Sequence, residues 1–214
     1  IHEHFQIWHV YYPSGPPPFF NAMRIRKQLK EFINDLDAPE LYSKAIIIGH
    51  SMGGIISRTL STNSQDKLWN VTFTERYEDM DLKQDSPLKD IFVFSPIFEE
   101  ATVFFLDTPH RGSNVATSVI GSIGSAFVTL PDNFKNIFKR FIDRVGIEKI
   151  TSVMQPFLVE YGPNSVQVLR PGHPLMEVLV ELPIQGESYS IIGSTSKLIC
   201  KHQVECNRIS DGVV

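Results

Sequence analysis

The chain has little cysteine, no long apolar run and no large excess of either charge, and each shortage excludes something. Only two cysteines occur in 214 residues, Cys200 and Cys206. Without clustered histidines they are too few for a zinc site, and no metal or other cofactor is called for. Close together and isolated, they suit a small disulfide ring in an oxidising compartment; two free thiols are the alternative. Lys and Arg number 20 against 24 Asp and Glu, a formal charge of −4. That balance offers no polyanion-binding surface, so nucleic acid is not an expected partner. No apolar run approaches the roughly 20 residues of a membrane helix, and nothing in the sequence argues for membrane association. No charged start followed by a hydrophobic stretch marks a signal peptide, so the compartment is not legible. Asn70-Val71-Thr72 fits the glycosylation acceptor pattern, which means little without a secretory context.

A hydrophobic content of 42% over this length allows one sizeable core, as one domain or two small ones. The strongest pattern is Gly49-His50-Ser51-Met52-Gly53-Gly54, set directly behind the apolar run Ala45-Ile46-Ile47-Ile48. It contains G-x-S-x-G, in which a strand ends in a strained turn that raises a serine hydroxyl and leads into a helix. The preceding run suits a buried parallel strand, and Ile55, Ile56 and Leu60 supply a helix's apolar positions. Gly49 and Gly53 are expected to flank Ser51 where any β-carbon would clash, and glycine tolerates unusual backbone angles nearby.

Around this point strands and helices alternate. Phe5 to Tyr12 alternates loosely and stops at Pro13-Ser14-Gly15-Pro16-Pro17-Pro18, a loop. Ile25, Leu29, Phe32, Ile33 and Leu36 fall at helical spacing, with Arg24, Arg26, Lys27, Lys30 and Glu31 on the wet side. Residues 61–90 are polar and poorly periodic, as in a surface connection holding short elements. Thr102 to Leu106 is a further inner strand, ending at Asp107-Thr108-Pro109-His110-Arg111-Gly112, and Tyr189 to Ile192 a third, ending at Gly193. The pattern predicts an α/β fold with a mostly parallel sheet covered on both faces. Its site should lie at the carboxyl ends of the strands.

One stretch, 113–183, interrupts the alternation. Ser113 to Phe127 is rich in small residues. Phe134, Ile137, Phe138, Phe141, Ile142 and Val145 form an amphipathic helix whose polar face carries Lys135, Lys139, Arg140 and Arg144. Such stripes usually serve as ordinary core, but a helical insertion leaving the carboxyl edge of a sheet also suits a lid over an acyl pocket.

Three segments, in order, resemble an α/β-hydrolase, within the lipase and serine-esterase branch that includes GPI-inositol-deacylase-like proteins. They are the segment from Gly49 to Gly54, the segment Thr108-Pro109-His110-Arg111-Gly112-Ser113, and Ser210-Asp211-Gly212-Val213-Val214. The resemblance implies a doubly wound, mostly parallel sheet, with residues 1–112 and 184–214 as the hydrolase core, incomplete at both ends. Residues 113–183 would be the helical insertion and lid. His50 and His110 would support the motifs without serving as the base.

A serine hydroxyl needs a base to take its proton and a third group to hold that base. In this superfamily the order is Ser, then Asp or Glu, then His. Ser51 is the expected nucleophile and Asp211 the expected acid, with Asp107 as its competitor at the end of a neighbouring strand. The Met52 backbone N–H is the expected oxyanion donor. None of the seven histidines follows Asp211, and no oxyanion loop of the His-Gly type precedes Ile7. The chain is therefore expected to be an internal fragment with little triad activity, its catalytic histidine and second oxyanion donor lying outside 1–214. The expected function is hydrolysis of carboxylic esters, lipid-like ones above all, through an acyl-enzyme. The alternatives are a catalytically silent hydrolase-fold binding protein and an acyltransferase on the same scaffold.

Overall fold

A computed structural model describes residues 5–36, 44–80, 82, 87–113, 142–143, 145–159 and 164–193. Phe5 to Tyr12 forms no strand. Helix α1 (Pro18–Asn34) starts on a proline, whose missing N–H is no loss in the first turn. It buries Phe19, Ala22, Met23 and Ile25, while Leu29 and Ile33 are half-buried and Phe32 is exposed.

Arg26, expected on the wet side, is buried instead. Its guanidinium donates to the Thr59 hydroxyl at 3.1 Å and to the Asp90 carbonyl at 2.6 Å. It also lies 4.0 Å from the centre of the Phe94 ring. Burial lowers its pKa to about 10, with Asp90 opposing. A buried cation persists only with such partners, and nothing in helical spacing announces them.

The three strands are β1 (Ile46–His50), β2 (Thr102–Leu106) and β3 (Glu187–Ile191). They pair in that order, all parallel, with Ile46 opposite Thr102 and Thr102 opposite Glu187. Between β1 and β2 run α2 (Met52–Leu60), α3 (Lys67–Thr72) and α4 (Leu88–Phe92). Between β2 and β3, the described helices are α5 (Gln155–Val159), α6 (Ser165–Val168) and α7 (Pro174–Glu181). The parallel α/β architecture expected from the sequence is what the structure shows.

One sheet face is packed. Ile47, Val103 and Phe105 lie with Ala22, Ile25 and Leu29 of α1 and Ile56 and Leu60 of α2 in two adjoining clusters. The other face, where alternation places Ile46, Ile48, Tyr189 and Ile191, is exposed, with Ile48 at 66%. Phe104 stacks on Tyr189 there, ring centres 5.3 Å apart. Cover on both faces, and inner positions for the outer two strands, are therefore not found among the described residues.

Residues 61–90 also differ from expectation, since they hold the middle of the largest cluster. Trp69 is fully buried against the rings of Phe73, Tyr77 and Phe92, its Nε1 donating to the Glu75 carbonyl at 2.8 Å. The polar residues hide by bonding backbone. Thr72 Oγ1 donates to the Leu68 carbonyl at 2.8 Å, and Ser64 Oγ accepts the Phe94 amide at 2.8 Å. The same cluster takes in Val145, Ile150, Met154, Val168, Leu175, Met176, Leu179 and Leu182 from the stretch assigned to the insertion. An isolated antiparallel bridge from Phe73 to Ile150 joins the two stretches, and another, from Thr62 to Ile184, lies just beyond the second. Of the stripe beginning at Phe134, Val145 is buried and Ile142 packs beside it; Phe134 to Phe141, the small-residue segment beyond Ser113 and the proposed lid lie outside the described residues.

Candidate active site

Strand β1 ends at His50, and α2 begins at Met52. Ser51, alone between them, turns the chain with φ 53° and ψ −126°. A non-glycine residue rarely occupies positive φ, at a cost of roughly 1–3 kcal/mol. Two backbone bonds hold it there. The Ser51 amide donates to the Leu106 carbonyl at 3.0 Å, and the Gly54 amide donates to the Ser51 carbonyl at 2.9 Å. A serine before a helix ordinarily turns its hydroxyl onto the first-turn amides. Ser51 makes no such capping bond and is exposed. Its hydroxyl is thus held at the carboxyl edge of the sheet and not consumed by the helix.

The glycines divide differently from expectation. A β-carbon on Gly49 would fall 2.6 Å from the Gly54 Cα and 2.7 Å from the Gly53 carbonyl oxygen, so Gly49 is sterically required. One on Gly54 would overlap the Thr108 side chain, whereas one on Gly53 would meet only the Tyr12 hydroxyl, at 3.1 Å. The tight pair is therefore Gly49 and Gly54, not Gly49 and Gly53. The unusual φ belongs to Ser51 itself; none of these glycines has positive φ.

Met52 opens α2, where a helix leaves its amides without intrahelical acceptors and presents the positive end of its dipole. That placement suits a developing oxyanion. At the other end, the buried Arg58 donates through Nε to the Leu179 carbonyl at 3.0 Å and through Nη2 to the Val180 and Leu182 carbonyls, both at 2.9 Å. It closes the carboxyl end of α7 and ties that helix to α2, which leaves the sharp turn at Ser51, the elbow between β1 and α2. Burial lowers its pKa, with Glu181 opposing.

The segment after β2 packs into the elbow. Thr108 is buried, and its Oγ1 lies 3.3 Å from the Leu106 carbonyl and 3.5 Å from that of Gly49. Gly112 turns at φ 87°, where a β-carbon would lie 2.6 Å from the Arg170 carbonyl carbon. Ser113 N donates to the Leu169 carbonyl at 2.8 Å. His110 stands edge-on to Phe105, ring centres 4.6 Å apart. Its Nδ1 is buried with no hydrogen-bond partner. Burial, with the Arg58 charge adding to it, lowers its pKa to about 4. A neutral ring wedged beside a cation supports packing and is poorly suited to accept a proton near neutral pH.

His50 is exposed on the open face of the sheet, away from α2. His173 is buried at the start of α7, its Nδ1 accepting the Leu175 amide at 3.2 Å, and burial lowers its pKa to about 4. Asp211, Cys200, Cys206 and His202 lie outside the described residues. Asp107 directly follows β2 at φ 43°, one residue after Leu106, whose carbonyl accepts the Ser51 amide.

The structure thus assembles Ser51, Met52, Gly49, Gly54, Thr108 and Asp107 at one edge. Tyr12, Arg58 and the wedge role of Thr108 carry no local sequence signal, because each acts on partners distant in the chain. No protein-family model, curated protein or solved structure matches the chain.

Proposed function

We propose that the chain has the fold of an α/β-hydrolase of the lipase and esterase branch and carries its nucleophilic serine. In this proposal the sheet is doubly wound, the stretch after Ser113 supplies a lid, and the enzyme hydrolyses carboxylic esters. The observation that carries the proposal is the backbone of Ser51. A strained residue is kept at a parallel strand-to-helix turn, with its hydroxyl released from capping. Backbone strain persists where the surroundings over-determine it, and such positions cluster at active sites.

In the proposed reaction, a histidine takes the Ser51 proton as Oγ attacks the ester carbonyl carbon. The carbonyl oxygen gains the negative charge, stabilised by the Met52 amide and a second donor; each such donor is worth about 3 kcal/mol. The histidine then protonates the leaving alkoxide, and water, activated by the same base, cleaves the acyl-enzyme. Asp211 is proposed to orient the base. The base is none of the described histidines. His50 is on the wrong face, His110 is wedged beside Arg58, His173 caps a helix, and His9 precedes the nucleophile, the reverse of the superfamily's order. A lipid-like acyl ester is the proposed substrate class, supported by the resemblance and by the apolar helical periodicity of the sequence from Phe134 to Val145.

The test is labelling by a fluorophosphonate probe, in this chain and in any longer protein that carries it. Labelling is expected wherever the base is present and abolished by Ser51→Ala. An unlabelled longer protein containing a histidine beyond Val214 would remove the enzyme proposal. Adding competing alcohols and analysing the products separates hydrolysis from acyl transfer.

A further inference from the structure

Asp107 carries two features that the proposed Ser51–Asp211–histidine triad leaves unused. Its φ of 43° lies in the left-handed region, which aspartate and asparagine enter more readily than other side-chain-bearing residues. Its two polar ends both engage the exit of β3. The Asp107 amide donates to the Ile191 carbonyl at 2.9 Å, and Asp107 Oδ1 accepts the Gly193 amide at 2.7 Å. The first bond fixes the last residue of the strand, and the second fixes the chain two residues further on. One residue earlier, the Leu106 carbonyl receives the Ser51 amide at 3.0 Å. The Leu106–Asp107 step therefore joins the nucleophile turn on one side to the chain leaving β3 on the other.

We propose that Asp107 is a positioning residue: by gripping the Gly193 amide, it fixes the exit of β3, through Ile192 and Gly193, relative to Ser51. Its effect on catalysis rests on the function proposed above, whereas the grip itself does not. The role needs an oxygen acceptor on a residue tolerant of positive φ. It does not need a negative charge, and this separates it from the rival role of Asp107 as triad acid, which stabilises a charged histidine and therefore does.

Three substitutions resolve the two roles. Asp107→Asn keeps the acceptor and the backbone tolerance but removes the charge. Asp107→Ala removes the acceptor and keeps the strain, and Asp107→Gly removes the acceptor while relaxing the backbone. Amide hydrogen exchange at Gly193 reads the grip directly, and the rate of fluorophosphonate labelling at Ser51, in the longest labelled protein carrying the chain, reads its consequence. Gly193 protection and labelling rate are expected to stay near wild type in Asp107→Asn. Both should fall about two- to tenfold in the Ala and Gly variants, the worth of one hydrogen bond. A relaxed yet unprotected Gly variant excludes misfolding from backbone strain as the cause. Equal Gly193 protection in all four proteins overturns the proposal. So does an Asp107→Asn protein that keeps protection but labels as slowly as Asp107→Ala, since the charge would then be what matters. Protection that follows the expected pattern in a protein that takes no label supports the grip and counts against the hydrolase function alone.

Discussion

At the scale of single residues, the elbow is a steric agreement between the chain around Ser51 and the chain around Thr108. Gly54 is bare because Thr108 fills the space its side chain would need, and Gly49 is bare because the first turn of α2 folds back over it. Overpacking a tight site costs roughly 1–3 kcal/mol or more. Gly54→Ala should therefore lose about 3 kcal/mol in chemical denaturation, or fail to fold. Gly53→Ala, which meets only a tyrosine hydroxyl that can shift, should lose about 1 kcal/mol or less. Near-equal losses would show that the elbow is looser than described. Ser51 was legible in the sequence because strand, turn and helix are contiguous there, so the motif contains its own context. Which glycine is indispensable was not legible, because the atoms that decide it come from Thr108.

Among elements, α7 depends on polar groups at both ends. Arg58 closes its carboxyl end, and the His173 ring closes its amino end by accepting the Leu175 amide. That acceptor exists only on a neutral ring. Burial takes the His173 pKa from 6.5 down to about 4, and His110 is likewise lowered to about 4 by burial and by Arg58. The unfolded chain thus binds these protons at higher pH than the folded one. Their contribution to stability is full above pH 6.5 and is lost as the pH falls toward about 4. Urea unfolding should show a decline of several kcal/mol across that window, up to about 3 kcal/mol for each ring. His173→Asn, which caps without titrating, should lessen the decline, and a flat profile would contradict the assignment. The strands were readable as apolar runs bounded by turn residues, and α1 as a periodic stripe. Arg26 was misplaced because periodicity reports which face of a helix is apolar, not that a cation on that face has found Thr59, Asp90 and Phe94.

For the molecule as a whole, the described residues dress the sheet on one side. Ile46, Ile48, Tyr189 and Ile191 give the other an apolar surface, and exposed patches of this kind promote association. The chain is expected to bind anilinonaphthalene sulfonate while folded. Ile48→Lys with Ile191→Lys should lower that signal severalfold and leave stability within about 0.5 kcal/mol, as for surface changes generally. Unchanged dye fluorescence would mean that other parts of the chain shield this side. The parallel order of the sheet followed from the alternation of elements. The packing of 61–94 with 145–182 did not, because it joins segments whose polar residues are hidden by backbone bonds. That joint bears on any attempt to simplify the protein. Excising residues 113–183 to obtain a smaller protein would delete the acceptors of Arg58 and leave a guanidinium stranded in the interior, so the shortened protein should be insoluble.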